Sequence, residues 1–523
     1  MPVHHNFDVV VVGGGNAALC AALSAHEAGA TVAILEAAPK EERGGNSRFA
    51  TAVFRVVHGG RADIEPLLTP SAKATLQRQC RLGPYTKEMY RADMMKTSRG
   101  FSDWAQVDVV LDRSLHTAKW MHGLGVEWQL SISKFFDEER IKDQTVDLPA
   151  GSAMMAAHEG VGLTNKLWAA VERTSIRVFY DCPAFDLLAD GDTVQGVRTR
   201  QKDHFADFRG QVVLGCGGFE ASSRLRRQFL GEGWDLVLVR GTRFNTGTMM
   251  EKALAAGALD TGHWGGCHAS PQDFDAPRVG DLTVKDSMSR YSWVYGIMVN
   301  QEGKRFLDEG ENMVAVTYAK TGALIGKQPN ATAFQVFDQK TLHLLEPRYQ
   351  TGTPIVADTF QELAEKMGIE KRPFLNTVEQ YNAATPKGEF SPFILDGLST
   401  GDRLELPKSN WAQPLDQPPF VAYKVTCGMS SVVDLREKES ELMRYRIGIT
   451  FTYAGLKTNT SAQVLNKEGK VMPGLFAVGE ISGGFFSFNY PGGAGLVKGA
   501  VFGRIAGELA AKKAGEAPAK SVL

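Results

Sequence analysis

Tyr490 sits in FNYPGGAGL (488–496), where three glycines and a proline surround one phenol. Backbone this permissive marks either a tight turn under a core or a place where backbone meets a ligand and the phenol meets chemistry. A second chemical stretch lies near the N-terminus. GGGNAA (13–18) contains G-x-G-x-x-A, formed by Gly13, Gly15 and Ala18. Gly13 permits a tight turn, Gly15 lets backbone approach a pyrophosphate, and Ala18 is small enough for close helix–strand packing. Glu36 follows about twenty residues on, where a carboxylate accepts hydrogen bonds from ribose hydroxyls. The pattern implies a dinucleotide and leaves FAD and NAD both open.

These residues need a strand before them and a helix after. FDVVVV (7–12) is a β-branched run suited to a buried parallel strand, LCAALSAHEAG reads as a helix ending at Gly29, and TVAILE (31–36) reads as a second strand. The helix start offers unpaired N–H groups to phosphate. LTNKLWAAVER (163–173) reads as an amphipathic helix, IRVFYDCPAFDLLAD and VQGVRTR as strands around a turn at Gly191–Asp192, and VVLGCGGFE (212–220) as a buried strand running into glycines. From about 263 to 419 the chain is richer in Pro, Gln and aromatics, with helical FQELAEKMG and PFLNTVEQYNAA. The strand–glycine style returns at about 420, in GLFAVGE (474–480) and a closing helix that begins GLVKGAV. The dinucleotide unit is therefore read as discontinuous, residues 1–262 and 420–523, around a second unit of 263–419. The length of 523 residues agrees with more than one core, since a single core stops growing at roughly 250–300 residues.

Composition narrows the function. The chain is 43% hydrophobic and 22% charged, with a net charge of −1 from 58 basic and 59 acidic residues. That balance gives no case for nucleic-acid or membrane-surface binding. Cys20, Cys80, Cys182, Cys216, Cys267 and Cys427 are widely spaced and form no C-x-x-C pair. No metal site, iron–sulfur cluster, c-type haem or disulfide framework is expected; buried free thiols in a reducing compartment are. The N-terminus lacks the layout of a signal peptide, and no apolar run approaches the ~20 residues that span a bilayer. A soluble cytoplasmic protein is expected; the oligomeric state is open.

Several blocks then fall into one order: VVVVGGGNAALCAALSAHEAG, RGGNSRFAT (43–51), VVLGCGGFE, RGTRFNTGTMMEKALAAGA (240–258), GIMVNQEGKRFLDE (296–309), GLFAVGEISGG, NYPGGAGL and VFGRIAG. Their order and spacing resemble the flavoprotein family of fumarate reductases, succinate dehydrogenases and 3-ketosteroid dehydrogenases. RGGNSR and FNYPGGAGL resemble the tricarballylate dehydrogenase type within it. The resemblance implies an α/β fold: a discontinuous Rossmann-like FAD-binding domain with an inserted α+β capping domain, and substrate between the two. Carried over, Gly13, Gly15, Asn16, Ala17 and Glu36 hold the adenosine and pyrophosphate side, and Gly45, Asn46 and Ser47 lie near the flavin ring and pyrophosphate. Gly217, Gly479 and Glu480 are further cofactor contacts, Glu480 on the ribityl chain. Backbone N–H groups of Ala494, Gly495 and Leu496 meet the pyrimidine edge of the flavin, where helix-start donors stabilise the reduced ring. Phe49 stands where some relatives carry the histidine that links FAD covalently, so non-covalent FAD is expected. Electrons come from or go to a separate partner.

The resemblance implies hydride transfer between flavin N5 and a carbon β to a carbonyl or carboxylate, with an acid or base at the α carbon. The substrate-clamping residues differ. Tyr490 replaces the clamp arginine, Phe451 beside Thr452 replaces the clamp histidine, and Met313 stands where the proton-donating arginine belongs. Fumarate itself is disfavoured, because a dicarboxylate is not desolvated without cationic partners. Tyr490 instead resembles the Tyr-Pro-Gly of the ketosteroid enzymes, where a phenol and a backbone N–H polarise a ketone. Tyr318, Tyr295, Tyr291 and His268 are candidates for the proton, and Arg290 and Arg243 for a substrate carboxylate. Three readings stay open: a tricarballylate-like polycarboxylate enzyme, a mono-acid or cyclic-ketone enzyme, and a flavin-binding redox partner with little catalysis.

Overall fold

Val9, Val10, Val11 and Val12 are all buried in the first strand, β1 (Val3–Val12), which lies inside an eight-stranded sheet. The structure, a computed structural model, describes residues 2–132, 145–202, 204–237, 239–277, 279–284, 286–426, 428–429, 445–446 and 448–516. Strand β1 pairs in parallel with β2 (Val32–Leu35) on one side and with His204–Leu214 on the other. Arg177–Phe179 continues the parallel order beyond β2, and Val471–Ala477 continues it beyond His204–Leu214. A strand from the end of the chain thus completes a sheet begun at its start. Gln463–Leu465 closes that edge, and the hairpin Ala184–Asp190/Thr193–Gln201 pairs antiparallel with His204–Leu214, turning at Gly191 with φ +56°.

Two helices cover β1 closely. The helix α1 (Asn16–Glu27) starts three residues after a turn at Gly13, whose φ is +108° and where a Cβ would stand 2.6 Å from the Gly215 carbonyl oxygen; only glycine fits. The C-terminal helix Ala494–Glu516 crosses α1 at Gly503 and Gly507. A Cβ there would meet the Ala17 and Ala21 carbonyl oxygens at 2.5 and 2.1 Å, so the two backbones touch. This contact brings two helix starts together, and Asn16 Nδ2 donates to the Leu496 carbonyl at 2.8 Å.

A second, antiparallel sheet is built from Gln272–Asp273, Phe420–Thr426, Thr332–Phe337 and Ile297–Asn300, with Ile355–Ala357 also pairing Phe420–Thr426. Helices Phe360–Met367 and Lys371–Ala384 close one core on it through Leu363, Phe374, Val378 and Tyr381. The sequence places the end of this unit at 419, yet Phe420–Thr426 is its central strand. An apolar run such as FVAYKVT suits either sheet, and only long-range pairing decides between them. Between the sheets a two-stranded ribbon pairs Cys267–Ser270 with Gly448–Thr452.

Candidate functional site

One continuous cavity runs from the α1 turn to the ribbon and the start of helix Tyr318–Gly326. At its first end Gly13, Gly15, Asn16 and Ala17 line the wall, and the free N–H groups of the α1 start lie there. Asn16 N–H donates to Ser47 Oγ at 3.0 Å, tying that start to the RGGNS turn with Gly45, Asn46 and Ser47. Glu36 lies at the end of β2, 5% exposed, its Oε1 accepting from Ala38 N–H at 3.0 Å; burial pushes its carboxyl up. Gly14, absent from the expected contacts, is required here: a Cβ would stand 2.3 Å from Glu36 Oε2.

Further along, Asn46 holds three elements at once. Its Nδ2 donates to Glu220 Oε1 and to the Thr450 carbonyl at 2.5 and 2.6 Å, and its Oδ1 accepts from Thr242 N–H at 2.8 Å. Glu480 Oε1 accepts from Thr452 N–H at 2.7 Å and from Thr452 Oγ1 at 3.0 Å. Thr452, expected to bind substrate, therefore fixes a carboxylate. Glu220 is fully buried beside Glu480, and its Oε2 faces no donor among the described residues. Burial and the Glu480 charge push the Glu220 carboxyl well above the usual range. Glu480 is raised as well, chiefly by burial, and two carboxyls this close do not both ionise readily. Lys498 lines the same wall. Its Nζ donates to the Gly479 and Ser482 carbonyls, and burial pushes the ammonium down to about 7.

Gly217, Gly479, Glu480, Gly495 and Leu496 also line the cavity. Ala494 does not; it is fully buried and its N–H donates to the Pro491 carbonyl at 3.2 Å. The expected donor set at this helix start thus shrinks to Gly495 and Leu496.

The other end is aromatic and cationic. Ribbon register sets His268 directly opposite Phe451, with rings stacked at 5.3 Å. Tyr490 meets Phe451 edge-on at 5.1 Å, His268 at 5.3 Å and Tyr318 at 6.0 Å between centroids. The Tyr318 and Tyr490 hydroxyls are hydrogen-bonded to each other, and Gly493 N–H donates to Tyr490 Oη at 2.9 Å. Burial, then the neighbouring Tyr490 and Tyr291, push the Tyr318 phenol well up. Burial and Arg240 push His268 well down, so its ring is neutral. His268 Nδ1 is buried without a partner among the described residues. Tyr490 is 8% exposed, sits at the glycine turn and lines the cavity.

The expected carboxylate partners lie elsewhere. Arg290 is fully buried away from the cavity, its guanidinium on Asp273, on the carbonyls of Ser287, Ser289 and Arg348, and on Thr351 Oγ1. It braces the segment carrying Arg348. Arg243 is exposed and pairs with Glu42. Arg240 and Arg348 line the cavity instead. Arg240 comes from the same RGTR stretch as Arg243, and spacing alone does not separate the two. Both cavity arginines bond the buried carboxylate of Asp286, Arg348 at 2.8 Å, and Arg240 Nε donates to Thr450 Oγ1 at 2.9 Å. Tyr291 also lines the cavity, under the Arg348 guanidinium, whereas Tyr295 donates to the Pro392 carbonyl and, with Met313, lines a separate small pocket.

The residues fit a flavin dinucleotide: a glycine turn with no room for a Cβ at Gly13 or Gly14, two helix starts, a buried acid at one end and a polar-aromatic chamber at the other. Comparison with known proteins agrees. The family model described as FAD binding domain matches residues 8–497. The NADH:acrylate oxidoreductase of Vibrio harveyi is 26% identical over 97% of this chain, which spans about 50% of that relative's length. The fumarate reductase (cytochrome) of Shewanella frigidimarina is 27% identical over 97% of this chain and 78% of its own. The 3-ketosteroid-Δ4-(5α)-dehydrogenase of Rhodococcus jostii RHA1 shares the fold with a TM-score of 0.67 at 23% identity, over 97% of both chains. The chain belongs to the FAD binding domain family: it is a flavoprotein, and its relatives are oxidoreductases.

Proposed function

We propose that this flavoprotein interconverts a C–C single bond and a C=C bond α,β to the carboxylate of a small-molecule substrate. The observation that carries this reading is the pair Arg240 and Arg348, lining the cavity beside Tyr318, Tyr490 and His268. FAD, when bound, supplies or accepts two electrons as hydride at N5. The residues supply the rest. Arg240 and Arg348 hold the carboxylate and stabilise negative charge that develops on it. The Tyr318 hydroxyl gives the proton to the α carbon in the reducing direction and takes it in the other; its raised proton affinity keeps it protonated at neutral pH. Tyr490 holds that hydroxyl in place, while Phe451 and His268 wall the chamber from water. We read the second sheet as a cap over this chamber, and the electron partner as a separate molecule.

Phe49 and His58 support non-covalent FAD. Phe49 holds the position after the RGGNSR turn, and both ring nitrogens of His58 are engaged, Nε2 with the Ala150 carbonyl and Nδ1 with Gly60 N–H. The ketone reading is weaker in this geometry, because the Gly493 N–H that would polarise a ketone donates to Tyr490 Oη. Anaerobic mixing of the reduced holoprotein with α,β-unsaturated carboxylates and with cyclic enones tests the proposal. Reoxidation of the flavin by an acid is expected; reoxidation by the enones alone overturns it.

A further inference from the structure

Arg240 and Arg348 do not stand as two free cations. Asp286 lies between them with its side chain 1% exposed; Arg240 Nη1 bonds its Oδ1, Arg348 Nη1 bonds its Oδ2 at 2.8 Å, and Ser289 Oγ donates to Oδ1 at 2.7 Å. Glu346 takes the other edge of Arg348, its Oε2 3.0 Å from Nε. Thr450 Oγ1 takes Nε of Arg240. Two guanidiniums and two carboxylates bring the formal charge of this cluster to zero. Each arginine keeps one terminal nitrogen, Nη2, with no protein partner among the described residues.

One more carboxylate can therefore be met by the two remaining Nη2 groups, one on each oxygen. A second finds no further cation in this chamber: His268 is neutral, and it and the phenol hydroxyls of Tyr291, Tyr318 and Tyr490 offer only uncharged donors. Burying an unpaired carboxylate in such a chamber is costly. We propose that Asp286 makes this a site for substrates with a single carboxylate, by occupying the arginine edges that a second carboxylate would need. The inference rests on the carboxylate reading above and narrows it: the substrate is a mono-acid whose remainder is uncharged and contacts Phe451, Tyr490 and Tyr291. Tricarballylate-like polyacids and fumarate are excluded by charge rather than by size.

A matched pair of probes separates the two proposals. Crotonate and fumarate share a four-carbon trans-alkene frame and differ by a methyl in place of a carboxylate. Each is titrated into the oxidised holoprotein, reading the perturbation of the flavin spectrum, and into the reduced holoprotein, reading reoxidation. Tighter binding of crotonate by at least about tenfold is expected, because a like charge placed against an ionised neighbour is strongly disfavoured. In Asp286→Asn the fumarate-to-crotonate affinity ratio rises by about tenfold or more, since one competing negative charge is gone. Fumarate binding as well as crotonate in the wild-type protein overturns the role of Asp286 and leaves the carboxylate reading standing. An unchanged ratio in a folded Asp286→Asn holoprotein does the same. Binding of neither acid overturns the carboxylate reading itself.

Discussion

Tyr318→Phe removes one hydroxyl and little else. The ring stays among His268, Tyr291 and Tyr490, at centroid distances of 4.9, 5.0 and 6.0 Å. Tyr490 Oη keeps its hydrogen bond from Gly493 N–H. One hydrogen bond between neutral groups is lost, which costs about 1 kcal/mol of stability, a melting shift of a few degrees at most. Catalysis loses far more. A positioned acid contributes about 10²–10⁴-fold, equivalent to about 3–5 kcal/mol of barrier at 1.36 kcal/mol per decade. The assay is stopped-flow reoxidation of the reduced flavin by an unsaturated acid, beside a thermal melt and a flavin-to-protein ratio on the same preparation. The pH profile adds a second readout. The Tyr318 proton is held above the ordinary phenol value of about 10, so the wild-type rate carries no ionisation of this group at neutral pH, and the variant is slow at every pH. A Tyr318→Phe holoprotein that keeps more than about a tenth of the wild-type rate refutes the assignment, since no general acid worth the name contributes so little.

Other expectations follow from the same geometry. His268 is neutral because burial and Arg240 disfavour its charged form, so its folded affinity for protons lies below the unfolded value of about 6.5. The unfolded chain then binds more protons in acid, and stability falls as pH drops below about 6.5; melts between pH 7 and 5 should show a shallower loss in His268→Gln. Glu220 has the opposite sign: its raised proton affinity contributes stability that is lost as pH rises above about 4.5. Glu220→Gln should therefore gain on the wild type in melts as pH rises from 5 to 8. Gly13→Ala forces a Cβ to 2.6 Å from a carbonyl oxygen at φ +108°, and the purified protein should carry little flavin by absorbance. Acid precipitation of the wild type should leave the yellow colour in the supernatant; colour in the pellet contradicts non-covalent FAD.

Local patterns were legible and long-range ones were not. The order strand, Gly13 turn, α1, β2 and Glu36 lies within one short stretch, and each residue type there answers a local demand. The facing of His268 and Phe451 depends on pairing of strands about 180 residues apart, which no local pattern encodes. Arg240 and Arg243 share one motif, yet one lines the cavity and the other meets Glu42 at the surface. Arg290 was a candidate for a substrate carboxylate, yet its guanidinium is consumed inside the protein by Asp273, Thr351 and three carbonyls. Lys498 drew no reading from the sequence, and it is 3% exposed. Glu220 and Gly14 lay inside motifs already quoted. Their signal was there: an acid after a glycine strand end, and a third glycine in a G-x-G turn, but only the approach of Glu480 and Glu36 gives them work.

The central claim is that a carboxylate next to the reacting bond is what Arg240 and Arg348 hold. Crotonate and crotonamide have the same shape and differ in that charge. Stopped-flow mixing of each with the reduced holoprotein, in wild type and in Arg348→Met, puts the claim directly to the test. Fast reoxidation by the acid, slow reoxidation by the amide, and loss of the difference in Arg348→Met are the predicted result. Equal rates with acid and amide in the wild type contradict it.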